Sequence, residues 1–164
     1  MHPRALALAL ALLAPDGASA APCTIEIRDF RAASAPLARL ALPPDRSFAL
    51  RFVHSVTRRP VESRYVVRGG RIVQVAEMFD EHGPGLSSAA ADAGERWERV
   101  VTKAGPRFVL HMNRAIPQLV VRVQPVARQR LAAGGAEIAL ARWSPIAVEL
   151  RPACGVPSTR APHD

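Results

Sequence analysis

Apolar and polar residues alternate with a period of two in short runs along most of the chain, and glycine and proline separate the runs. Such alternation marks strands with one face turned to a core, and no stretch keeps a helical period over three turns. The runs predict strands at residues 24–28, 39–42, 47–56, 61–68, 71–79, 97–102, 107–112, 118–126, 137–143 and 147–150. The expected fold is mainly β, an antiparallel sandwich or partly open barrel of about eight to ten short strands. Residues 80–96 hold Gly83-Pro84-Gly85 and an Ala/Ser/Gly-rich stretch, and they predict the main irregular loop. Residues 155–164, with Pro157 and Pro162, predict a disordered tail.

The centre of the chain permits a prediction of register. A four-residue hairpin loop at Thr57-Arg58-Arg59-Pro60 sets Ser55 opposite Glu62, His54 opposite Ser63 and Phe52 opposite Tyr65. It gathers Phe48, Leu50, Phe52, Tyr65 and Val67 on one apolar face. Gly69-Gly70 suits a two-residue primed turn, which sets Val67 opposite Ile72 and Glu62 opposite Glu77. The two registers together predict a row of Ser55, Glu62 and Glu77, with His54 on the other face. Facing carboxylates repel, so either a cation lies between them or one of them keeps its proton. The candidates are Arg51 or Arg64 on the same face, a ligand amine, or a metal ion. Two solvated surface glutamates are the plain alternative.

The N-terminus changes the address. Met1-His2-Pro3-Arg4, an apolar run over 5–14 and Ala18-Ser19-Ala20 have the form of a signal peptide over residues 1–20 with cleavage after Ala20. Ten apolar residues rise about 15 Å as a helix, roughly half a bilayer core, so no stable membrane span is expected after cleavage. Pro22 before Cys23 disfavours lipid modification. The expected location is periplasmic or extracellular, with residues 21–154 forming one β domain. Cys23 and Cys154 bracket that domain, and an oxidising compartment predicts a disulfide between them.

The formal charge of +8 raises the question of nucleic acid. The export signal, an aromatic content of 5% and the scatter of Arg along the chain argue against it. The charge leaves a small anionic solute among the expected partners.

Candidate chemistry centres on the same short region. Neighbouring His54 and Ser55 point to opposite faces of a strand, so neither activates the other, and there is no G-x-S-x-G motif. Facing glutamates on one ladder are too close for a sugar to enter between them. His54, His82 and His111 lack H-x-H or H-E-x-x-H spacing, and no C-x-x-C is present, so no metal or other cofactor is expected. Gly83 and Gly85 could bring backbone N–H groups to an anion, though a turn explains them equally well. Trp97 and Trp143 fall in strand-like runs and read as core residues.

His54-Ser55-Val56, Pro60-Val61-Glu62, Tyr65, Glu77 and Gly83-Pro84-Gly85-Leu86 resemble the signature of a small exported bacterial family, domain of unknown function 1850. The resemblance spans roughly residues 47–150. Pro84 stands where the family usually has Ala, and Asp80-Glu81-His82 departs from its usual filling. Members are typically encoded beside TRAP transporters of the TAXI type, which use an extracytoplasmic solute-binding protein and a permease. The resemblance therefore implies a periplasmic accessory or small-ligand-binding role with such a transporter. It marks His54, Ser55, Glu62, Tyr65, Glu77, Gly83 and Gly85 as candidate ligand-binding positions. A hydrolase or metal-dependent enzyme centred on His54 and Glu62, and a structural envelope protein, are the alternatives.

Overall fold

A computed structural model describes residues 22–32, 35–86 and 93–155. The expected signal peptide and residues 156–164 of the expected tail lie outside the described residues.

Eleven strands are formed: β1 (Cys23–Asp29), β2 (Ala38–Ala41), β3 (Ser47–Val53), β4 (Pro60–Arg68), β5 (Arg71–Phe79), β6 (Arg96–Thr102), β7 (Gly105–Ile116), β8 (Leu119–Arg122), β9 (Arg130–Ala133), β10 (Ala136–Ala139) and β11 (Ala147–Cys154). They make two antiparallel sheets, a smaller one ordered β2-β1-β11-β8 and a larger one ordered β10-β9-β3-β4-β5-β7-β6. The sheets do not close into a barrel, so of the two expected architectures the sandwich is the one found.

Period-two patterning builds the layer between the sheets. In β1, Cys23, Ile25 and Ile27 are buried, while Thr24, Glu26 and Arg28 face outward. Ile25, Ile27, Val148 and Leu150 of the smaller sheet share one apolar cluster with Phe48, Leu50, Tyr65, Val67, Ile72 and Leu131 of the larger. Complete burial of such aliphatic side chains is worth about 1.5–3 kcal/mol each, so this cluster is the main support of the fold. Trp143 packs against its margin.

Two of the expected strands end early in 3-10 turns, and one further strand forms between them. The run 118–126 ends as a strand at Arg122 and continues into a single 3-10 turn, Pro125–Ala127. The Gln129 side chain closes this excursion by accepting from the Gln124 N–H and donating to the Arg122 carbonyl, at 2.9 Å each. β9 follows, a strand the alternation did not predict. Gly134 and Gly135, at φ of 55° and 84°, then turn the chain into β10. The run 137–143 stops at Ala139 and tightens into a 3-10 turn, Leu140–Trp143, that sinks Leu140 completely into the core.

Cys23 and Cys154 are opposed residues at the end of the β1–β11 ladder and are joined by a disulfide. The first and last strands are thereby tied across a sequence separation of 131 residues. Closing a loop of that size removes about 5 kcal/mol of unfolded-state entropy in the chain-entropy model. The double variant Cys23→Ser/Cys154→Ser is therefore expected to lose about 2–5 kcal/mol in urea unfolding. A loss under about 1 kcal/mol would show that the ladder holds without the bond.

Candidate functional site

The β3–β4 connection is longer than the alternation suggested. Val53 pairs with Pro60, leaving residues 54–59 as a six-residue loop, and the ladder below it aligns Phe52 with Val61, Arg51 with Glu62 and Phe48 with Tyr65. Register moves by four residues from the expected one. An even shift leaves every side chain on its face, so the apolar face from Phe48 to Val67 survives. Ser55, however, leaves the ladder and lies exposed in the loop.

His54 closes that loop twice over. Its N–H donates to the Arg59 carbonyl at 2.9 Å, and its own carbonyl accepts from Arg58 at 3.0 Å. Its ring Nδ1 accepts from the N–H groups of Val56 and Thr57, at 3.3 and 3.2 Å. Two donors converging on Nδ1 fix the tautomer, so Nε2 carries the proton and donates it to the Pro84 carbonyl at 2.9 Å. The buried ring is thus a clasp between the loop 54–59 and the segment 80–86. Gly83 fits against it for want of a side chain. A Cβ there would lie 2.7 Å from His54 Cε1 and 2.9 Å from Thr57 Cγ2. Gly85 turns the chain at φ 83°, where other residues are strained. Arg59 adds ion pairs to Asp80 at 3.4 Å and to Glu81 at 3.9 Å across the same gap.

The β4–β5 turn forms at Gly69-Gly70 as expected, with φ of 55° and 73°, and Val67 faces Ile72. Between Arg64 and Tyr65 the register then slips by one, because Val75 is an extra residue in β5. The bulge turns the rest of β5 over. Glu77 faces Ser63 on the inner face, and Glu62 faces Met78 on the outer face. The expected row of Ser55, Glu62 and Glu77 therefore does not exist.

Each predicted residue takes a separate setting. On the outer face, Glu62 accepts from Arg51 at 2.9 Å and from Arg64 at 2.6 Å. Burial opposes its ionisation, but the hydrogen bonds and charges of Arg64 and Arg51 outweigh burial and hold its carboxyl below the usual range. Arg51 also reaches Glu137 at 3.5 Å, and Glu137 pairs with Arg130 at 2.6 Å. The arginine partners considered from sequence are thus the ones found at Glu62. On the inner face, Tyr65 stacks on Phe48 with ring centroids 5.0 Å apart. Burial pushes its phenol up to about 12, with the Ser63 hydrogen bond opposing and the Glu77 charge adding to the shift. Tyr65 is therefore a protonated core residue.

The histidines considered as metal ligands are distributed. His82 packs on Phe79, Trp97 and Phe108, and His111 bonds Glu98 at 2.6 Å. Among the described residues no group of three His, Cys, Asp or Glu could hold a metal ion. Sequence reasoning also passed over Arg107 and Arg128. Both line a concavity at the outer edge of β3 and β4, beside Pro60 and Glu62.

Two outcomes follow from this geometry. Gly83→Ala is expected to destabilise by about 1–3 kcal/mol through overpacking, and to raise hydrogen exchange at the Val56 and Thr57 amides before any other. Exchange unchanged at those amides would dissolve the clasp. Glu62 has a lowered folded pKa, so its contribution to stability is complete above the unfolded value of about 4.3 and disappears as pH falls through the folded value. Glu62→Gln is accordingly expected to flatten the acid limb of a melting-temperature profile below about pH 4.3. Parallel profiles for the two proteins would contradict the Arg51–Glu62–Arg64 assignment.

No curated protein and no solved structure matches the chain. A family model described as domain of unknown function (DUF1850) matches residues 48–140, more than half of the sequence. The match spans the clasp, the β5 bulge and the outer ion pairs, and the chain belongs to this family.

Proposed function

We propose that the chain is an exported, non-catalytic accessory module that binds a solute-binding protein or permease of a TRAP-type transporter through the loop 54–59. The observation that carries this reading is the engagement of both His54 ring nitrogens by backbone groups. The histidine at the head of the signature is committed to holding a loop, and neither nitrogen is left for a substrate proton or a metal.

What the loop presents is contact surface. Ser55, Val56, Arg58 and Arg59 are all exposed, and Val56 is 65% accessible. An exposed apolar side chain two residues before a pair of arginines suits a protein contact better than open solvent. Arg58 stands at φ 59°, a conformation that a non-glycine residue keeps where its surroundings fix it. The clasp supplies such surroundings, so the loop is pre-organised and loses little freedom on binding. The disulfide is compatible with an oxidising compartment. The transporter as partner follows from the resemblance of the signature and its implied gene neighbourhood.

The test is binding of the purified protein to a purified TRAP-type solute-binding protein and to its detergent-solubilised permease. Val56→Asp, with an unchanged circular dichroism spectrum, is expected to weaken the complex at least tenfold, about 1.4 kcal/mol. Absence of binding to either component, or full binding by the variant, would overturn the proposal.

A further inference from the structure

At the foot of the clasped loop the end of the β3–β4 ladder carries a concavity of about 280 Å³. Arg51, Arg107, Arg128 and Arg130 line it together with apolar residues at the ends of β3 and β4, and Glu62 is its single carboxylate. One acid thus stands among four guanidiniums, and it is already bonded through both oxygens to Arg51 and Arg64.

The four arginines are unequal. Arg51 and Arg130 have Glu137 within reach, and Arg51 also has Glu62. Among the described residues, Arg107 and Arg128 have no carboxylate within 4.0 Å. Arg107 is half-buried, and its Nη2 makes only long bonds, 3.3 Å to the Pro60 carbonyl and 3.4 Å to the Met78 carbonyl. Its Nε is shielded from solvent and has no acceptor. A guanidinium withdrawn from water without a counter-charge is costly, and an anion beside it removes that cost.

Arg128 is the second arginine of the concavity without a carboxylate among the described residues. It holds φ 46°, where glycine or asparagine would sit with less strain. Arg46 and Arg58 share the left-handed conformation, so the backbone alone singles nothing out. What separates Arg128 is that its position follows the 3-10 turn directly and lines the same concavity as Arg107. The neighbouring groove of about 760 Å³ over Arg51, Glu62, Arg64 and Glu137 is larger. Its charges are matched by one another, and it makes no comparable demand.

We propose that this concavity binds a small oxyanion, a carboxylate or phosphate group held chiefly by Arg107 and Arg128. Planar guanidiniums donate paired N–H groups to such anions, which gives geometric selection as well as charge. The volume lies just under the roughly 300–1,000 Å³ of pockets for drug-sized ligands, which limits the occupant to a small molecule. Its two principal arginines, Arg107 and Arg128, lie outside the docking loop, so failure of the anion site would leave the proposed transporter contact untouched.

The experiment is calorimetry and thermal shift with inorganic phosphate, sulfate, succinate and citrate, at fixed ionic strength against sodium chloride. At least one oxyanion is expected to bind saturably, and the ranking separates an inorganic phosphate site from one for organic acids. Arg128→Gly removes the side chain and relieves the backbone, and it is expected to stay folded while binding at least tenfold more weakly. Arg107→Met is expected to act in the same direction, and Arg122→Ala, at an exposed position on the smaller sheet, to leave binding unchanged. Absence of any shift beyond the chloride control, or full binding by Arg128→Gly, would overturn the proposal.

Discussion

The His54 ring supplies backbone groups of two loops with hydrogen bonds that strand pairing does not give them. A six-residue connection cannot continue the β3–β4 ladder, so its N–H groups need acceptors from elsewhere. Nδ1 provides one acceptor for two of them, and Nε2–H reaches across to the Pro84 carbonyl. From that one side chain follow the requirement for glycine at position 83, the outward display of Ser55 and Val56, and the placing of Pro60 at the rim of the arginine concavity. In this chain residues 54–59 and 80–86 are therefore first a loop architecture, and any binding chemistry is built on it.

The two faces of the larger sheet divide the remaining work. The inner face takes Phe48, Leu50, Tyr65 and Val67 into the apolar layer and carries Ser63 and Glu77 along with them. The outer face carries the chain of ion pairs from Arg64 through Glu62, Arg51 and Glu137 to Arg130. The single extra residue at Val75 decides which face receives Glu77. Without it Glu77 would face Glu62 and compete for the same arginines; with it, Glu62 takes Arg51 and Arg64 for itself. Exposed ion pairs of this kind contribute modestly to stability, so their larger effect is to order the outer face.

Much of this was legible in the residues. The alternating apolar positions located ten of the eleven strands and the shared apolar face, because burial of one face imposes a period of two. The Gly69-Gly70 turn was legible as well, since only glycine takes two successive positive φ values without strain. Gly134-Gly135 carries the same signal and announces β9 and β10, but the short, alanine-rich strands on either side offer little amphipathic contrast. The hairpin at His54 was misplaced because a histidine that accepts backbone bonds substitutes for strand pairing, and no pattern of hydrophobicity records that. The bulge did leave a trace. Ile72 and Phe79 are both fully committed to the inner face while lying an odd number of residues apart, and a regular strand does not allow that. The arginine concavity was not legible, because Arg107 and Arg128 meet there only through the fold.

The central claim is that His54 is a clasp with Nδ1 accepting and Nε2 donating. The most direct measurement is the nitrogen-15 and proton spectrum of its imidazole at neutral pH in the intact, oxidised protein. The expected result is a single tautomer with the proton on Nε2, slow to exchange with water, and with Nδ1 unprotonated and coupled to the Val56 and Thr57 amides. A proton on Nδ1, or rapid averaging between the two nitrogens, would contradict it.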